Sequence, residues 1–334
     1  MSASSEKQSS PSPIARTALK LGICGAVIFA IGFSIAVVGT SGTVSVSHAD
    51  VAWFSPFERT NSERFETSLD KLGHDEPRRF NLNGNTVFFS TATSRKMPRQ
   101  LMAEYQEEFR RQGLNDQIYV DLSAEQADAR TFTSLTGGLV PLEIRDDQIV
   151  LGGVLTANKA STPQELMKNM MEADNPDDLF RAHRYIEITR SPDRRHTSIV
   201  SSWSDEAFDY SRMRPGSRAE GQIYDHVVPP CPGCTRLTRF ADDNPAEADR
   251  VDLAFLGPRS IDETRDFYYR TLVGDGWVFD EVAARMEKLE EFIDLEVPLG
   301  EAMTFQRGNQ QLTLIVMPDP RSGQTMTLAT HTDA

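Results

Sequence analysis

NTVFFS at 85–90 followed by MPRQLMAEYQEEFRRQGL at 97–114 is matched later by VDLAFLG at 251–257 followed by SIDETRDFYYRTLVGDGW at 260–277. Each pair reads as a short apolar strand leading into an amphipathic helix that ends on a glycine and an apolar residue. Aligning Gly113-Leu114 on Gly276-Trp277 brings Tyr105 onto Tyr268 and Phe109 onto Leu272. Side chains one turn apart share a helix face, so each helix turns the same pair of positions toward a core. The ends carry their own chemistry: Pro98 suits a first helical turn, Ser260 with Glu263 makes a capping box, and Gly113 and Gly276 suit left-handed C-terminal caps.

Both copies continue as strands. HRYIEITRSPDRRHTSIVSSW at 183–203 reads as strand, Pro-Asp turn, strand. In the second copy AMTFQRGNQQLTLIVM at 302–317 alternates around a Gly308-Asn309 turn, and PDPRSGQ separates it from TMTLATH at 325–331, an antiparallel meander. Two further helical stretches interrupt the symmetry, STPQELMKNMMEA at 161–173 and DEVAARMEKLEEFIDL at 280–295, where Val282, Met286, Leu289 and Phe292 recur at helical spacing. Met167, Met170 and Met171 form a soft face expected to fill gaps in a core.

Upstream of the repeat, LGICGAVIFAIGFSIAVV at 21–38 is an uncharged run long enough to cross most of a bilayer core, and GTSGTVSV completes the crossing. Lys7, Arg16 and Lys20 precede it, which predicts a cytoplasmic N-terminus and an exported remainder. Ser47-His48-Ala49 offers a signal-peptidase-like site, but the apolar run is longer than a usual signal core and favours an uncleaved anchor. Small residues recur at Gly22, Ala26, Ala30 and Ser34, a stripe through which two membrane helices can approach and self-associate. Trp53, Phe54 and Phe57 follow near the expected membrane surface.

The expected fold class is therefore α+β: an N-terminal transmembrane helix, then two related units, each a helix packed on an antiparallel sheet. The expected boundaries are a cytoplasmic segment at 1–20, an anchor at 21–46, a linker at 47–77, a first unit at 78–211, a polar linker at 212–228 around Pro215 and Gly216, and a second unit at 229–334.

The net charge of −14 excludes a general nucleic-acid binder, since the short Arg pairs at 78–79, 110–111 and 194–195 cannot make a phosphate-tracking face. Cys231-Pro232-Gly233-Cys234 is the one local motif with chemical potential. Haem attachment fails because Thr235 follows where His is required, and zinc lacks a second ligand pair beyond His226. A thioredoxin-like site wants the first Cys at a helix N-terminus, whereas TRLTRF after the motif alternates like a strand. A structural disulfide in an oxidising compartment is the expected state, with thiol redox or thiol-metal chemistry as the alternative. The six histidines lack metal-ligand spacing, no serine sits in a nucleophile elbow or P-loop, and no N-glycosylation sequon occurs. The expectation is a non-enzymatic interaction or scaffold protein on the periplasmic side of a bacterial inner membrane, with no cofactor or metal, a protein partner in the envelope, and self-association through the membrane helix.

Overall fold

Thr60 and Glu63 cap each other's backbone, and this capping box starts α1 at Asn61–Lys71, whose Phe65 and Leu69 turn inward. This helix lies inside the stretch expected to be a linker, and it belongs to the first core. The computed structural model describes residues 59–158, 160, 162–173, 179–214, 228–243, 250–280, 300–319 and 322–333. The anchor at 21–46 and its stripe Gly22, Ala26, Ala30 and Ser34 lie outside the described residues, as do most of the 212–228 linker and the apolar positions of 280–295. Among the described residues no helix is long and apolar enough to cross a membrane.

Strands β1 (Arg78–Leu82) and β2 (Asn85–Ser94) form a hairpin across Asn83-Gly84, both at positive φ. Asn and Gly tolerate that left-handed pair, which matches the strand twist. Helix α2 spans Pro98–Arg111, with Met97 at its N-cap and Gly113 at φ +69° just past its end. Helix α3 at Ala127–Leu135, strands β3 (Val140–Ile144) and β4 (Gln148–Thr156), helix α4 at Pro163–Glu172, and strands β5 (Phe180–Arg190) and β6 (Thr197–Ser204) complete the first half. The second half runs through β7 (Thr235–Asp242), β8 (Arg250–Gly257), α5 (Ile261–Gly274), β9 (Val278–Phe279), β10 (Glu301–Arg307), β11 (Gln310–Pro318) and β12 (Thr325–Asp333). The chain is thus α+β, with a large antiparallel sheet and five α-helices among the described residues.

One 12-stranded sheet holds every described strand, in the order β3-β4-β5-β6-β2-β1-β7-β8-β12-β11-β10-β9. Read outward from the centre, each half has the same sequence of strands: first, second, last, then back to the third. The halves meet where β1 pairs antiparallel with β7, Phe80 opposite Asp242 and Leu82 opposite Phe240. Residues directly opposite each other share a face, so the register can be followed across the sheet. Ala92, Ile199, Ile188 and Ile149 make one row of the first half, and Leu253, Ala329, Leu314 and Met303 one of the second. Continuity through Asn81 opposite Ala241 and then Val251 puts both rows on the same face.

Both cores lie on that face. The first packs Phe65, Leu101, Tyr105, Phe109 and Trp203 over the inner strands, and the second packs Tyr268, Leu272, Trp277, Phe305 and Leu312. Tyr105 and Tyr268, Phe109 and Leu272, and Leu114 and Trp277 are all buried. Helix α3 lies on the same side, since a Cβ on Gly153 would run into Gly138 O. The methionine face of α4 is not core: Met171 is 76% exposed, Met167 and Met170 are half-buried, and Leu166 is the residue that goes inside.

Leu272 is fully buried, so Leu272→Ala removes transfer energy and leaves a cavity, lowering stability by about 2–5 kcal/mol. Trp203 and Trp277 report one half each. In denaturant titrations of variants keeping only one of them, both are expected to show the lowered midpoint, because the halves share one sheet.

Candidate functional site

Cys231 and Cys234 are joined by a disulfide that closes a tight turn, with Cys234 N donating to Cys231 O at 2.8 Å. Gly233 supplies the turn's left-handed residue at φ +81°. The chain enters β7 immediately afterwards, at Thr235. Gly257 on the neighbouring β8 makes room for the sulfurs, since an added Cβ there would overlap Cys234 Sγ. Arg259 Nε bonds Pro232 O at 3.1 Å, and Thr325 Oγ1 bonds Arg259 O at 2.6 Å, tying the turn to the end of β12.

This geometry decides what the pair can do chemically. Cys231 is 2% exposed and belongs to the second core beside Val228, Phe255 and Tyr268, whereas Cys234 is half-buried. A thiolate arriving from solvent reaches Cys234, so Cys231 would have to leave as a thiolate inside an apolar core. Burial disfavours that charge, and no helix begins at the motif to offset it. Among the described residues no group of three or more His, Cys, Asp or Glu is placed to hold a metal ion. His226 lies outside the described residues.

Two histidines that spacing did not single out are held neutral by their surroundings. His74 Nε2 lies 2.6 Å from Tyr105 OH, and burial brings its pKa down to about 4 against the opposing pull of Asp75. His183 meets the edge of Phe208 at 5.1 Å, and burial, with help from the Arg184 charge, also lowers it to about 4. Burial raises the phenol of Tyr105. His196, by contrast, sits at the surface near Asp193.

A shallow hollow of about 410 Å³ lies between α1 and α2, lined by Lys71, Leu72, Ala103, Glu104, Glu107, Glu108 and Arg111. Its charges already answer one another: Lys71 Nζ is 3.3 Å from Glu108, and Arg111 reaches both Glu107 and Glu108 at 3.3 Å. Comparison with protein families, with characterised proteins and with solved structures finds no match to the chain.

Removing the disulfide by Cys231→Ser with Cys234→Ser frees a four-residue loop in the unfolded chain. Chain entropy puts the loss near 2 kcal/mol. The reductant-treated wild type is expected to show the same fall in denaturation midpoint. A second prediction concerns pH. A histidine whose folded pKa is depressed leaves stability unchanged above its ordinary 6.5, where both states are neutral. Below 6.5 the unfolded chain binds protons that the native fold refuses, so stability is lost progressively toward pH 4. Denaturation midpoints measured across this window should fall, and replacing His74 and His183 by Gln should flatten the fall.

Proposed function

We propose that the chain is a membrane-anchored, non-enzymatic interaction or scaffold protein of a bacterial cell envelope. Residues 21–46 would hold it in the inner membrane with the N-terminus cytoplasmic, and the folded region would face the periplasm as two related α+β units. The stripe Gly22, Ala26, Ala30 and Ser34 would let two anchors pair. Support comes from the basic N-terminal flank, the acidic exported part and the disulfide, which suits an oxidising compartment.

The observation that carries the reading is the sheet's second face. Helices α1, α2, α3 and α5 pack on the side that holds both cores. On the opposite side of the second half, Ala254, Leu328, Ile315 and Ala302 stand in one register row, and Leu256, Met326 and Met317 in the next. Except for Ala254 these side chains are half-buried, and they lie beside a hydroxyl row of Thr330, Thr313 and Thr304. Contiguous apolar rows bordered by polar ones are the composition of a protein-binding surface. The partner that fits is another envelope protein presenting an apolar patch with hydrogen-bonding groups along one side. Thiol chemistry at Cys231 and Cys234 ranks behind this, because the buried sulfur is a poor leaving group.

A photo-crosslinking residue at Leu328 or Met326 in the full chain, activated in intact cells, should yield one discrete adduct. The same residue at Arg270, exposed on α5, should yield none. Adducts from neither sheet position, or equally from Arg270, would remove this face from consideration.

A further inference from the structure

Arg184 is among the largest fully buried side chains, at 2% exposure, on the face of β5 that points into the first core. Its Nη1 donates to Gly137 O at 3.0 Å, and its carbon lies 5.8 Å from the centre of the Phe65 ring. Among the described residues, Nε and Nη2 have no hydrogen-bond partner. These two nitrogens form one edge of the guanidinium, the parallel pair of N–H groups that matches the two oxygens of a carboxylate. No carboxylate of the described residues lies within ion-pair distance of it. Glu206 acts on the charge only from farther off, its Oε1 accepting Asn61 N at 3.1 Å.

The second half shows that the fold does not require a charge here. Arg184 pairs with Trp203, which pairs with Phe88. The alignment that puts Gly113 on Gly276 puts Phe88 on Val251, and following Val251 to His331 and on to Leu312 reaches the corresponding position. Leu312 is 0% exposed. A leucine fills in one half the place that an arginine fills in the other. An unpaired buried guanidinium is costly, whereas an apolar side chain at such a position is often neutral or better.

The surroundings favour an anion. The side-chain amide of Asn61, the first residue of α1, and Arg184 Nη1 both flank Gly137. We propose that Arg184 forms a binding site for a ligand carboxylate, whose two oxygens accept Nε–H and Nη2–H of Arg184. The site is separate from the sheet face assigned to a protein partner and does not depend on it.

Isothermal titration of the full chain in detergent, with sodium acetate as probe and sodium chloride holding ionic strength constant, tests the assignment. Saturable acetate binding is expected, and Arg184→Leu is expected to abolish it. Arg184→Leu copies the second half, so it is expected to fold and to keep or raise the melting temperature. Triglycine and triglycinamide separate the sources of the carboxylate: binding of triglycine but not its amide assigns a peptide C-terminus, and binding of acetate alone assigns a small acid. The proposal is overturned by absence of saturable acetate binding, by acetate affinity unchanged in Arg184→Leu, or by binding that emerges only in Glu206→Gln, which would assign the fork to Glu206 itself.

Discussion

The pairing of β1 with β7 is the contact on which the architecture rests. Its ladder is short, with three residue pairs from Phe80–Asp242 to Leu82–Phe240. Side chains lengthen it at both ends. Asn83 N bonds Arg239 O at 2.9 Å while Asn83 Oδ1 accepts Arg239 N at 2.7 Å, so an asparagine amide takes over where β1 turns away. At the other end Asp243 N bonds Arg79 O at 3.1 Å, and Arg78 and Arg79 pair with Asp242 and Asp243. Those ion pairs are partly exposed and contribute little. The stacked rings of Phe80 and Phe240, 4.8 Å apart with Phe89 edge-on to both, contribute more, because they bury a seam that would otherwise be wet.

Antiparallel joining at this seam has a geometric consequence. Two halves of like strand order that meet through antiparallel first strands are related by an approximate two-fold axis perpendicular to the sheet, so their helices fall on the same side. Each half then packs its helices over a core on that face. The first closes its core with α1, through Phe65 and Leu69, and the second closes its own with the turn through Val228 and Cys231. A helix is nucleated by its cap, whereas a turn of a few residues needs a covalent brace to hold its place. The disulfide therefore does for the second core what eleven helical residues do for the first.

Much of this was legible. The helix ends and helix faces were readable because they are set locally: the Ser260–Glu263 box, Gly113 and Gly276 at positive φ, and the buried Tyr105 and Tyr268 all lie where spacing put them. The Gly308-Asn309 turn joins β10 and β11 in the expected register. Other elements were missed although a signal existed. Thr60 with Glu63 is the same box as Ser260 with Glu263, but the surrounding Pro and Gly residues made the stretch look like a linker. Asn83-Gly84 is a strong hairpin pair and passed unused. What no local pattern carries is the pairing of β1 with β7, since it links residues far apart in sequence through a short ladder.

The candidate site divides along the same line. A cysteine pair announces itself by spacing, so Cys231 and Cys234 were found, whereas their unequal burial comes only from the fold. Arg184 has no spacing signal. In HRYIEITR it occupies an inward position of an alternating strand, where the expected residue is apolar, and arginine there reads as an imperfection in the pattern. The imperfection becomes meaningful only against Leu312, which keeps the pattern at the corresponding place. Two halves of like strand order supply their own control: where one breaks a packing rule that the other obeys, the fold is not the reason for the break, and the residue is to be read as chemistry.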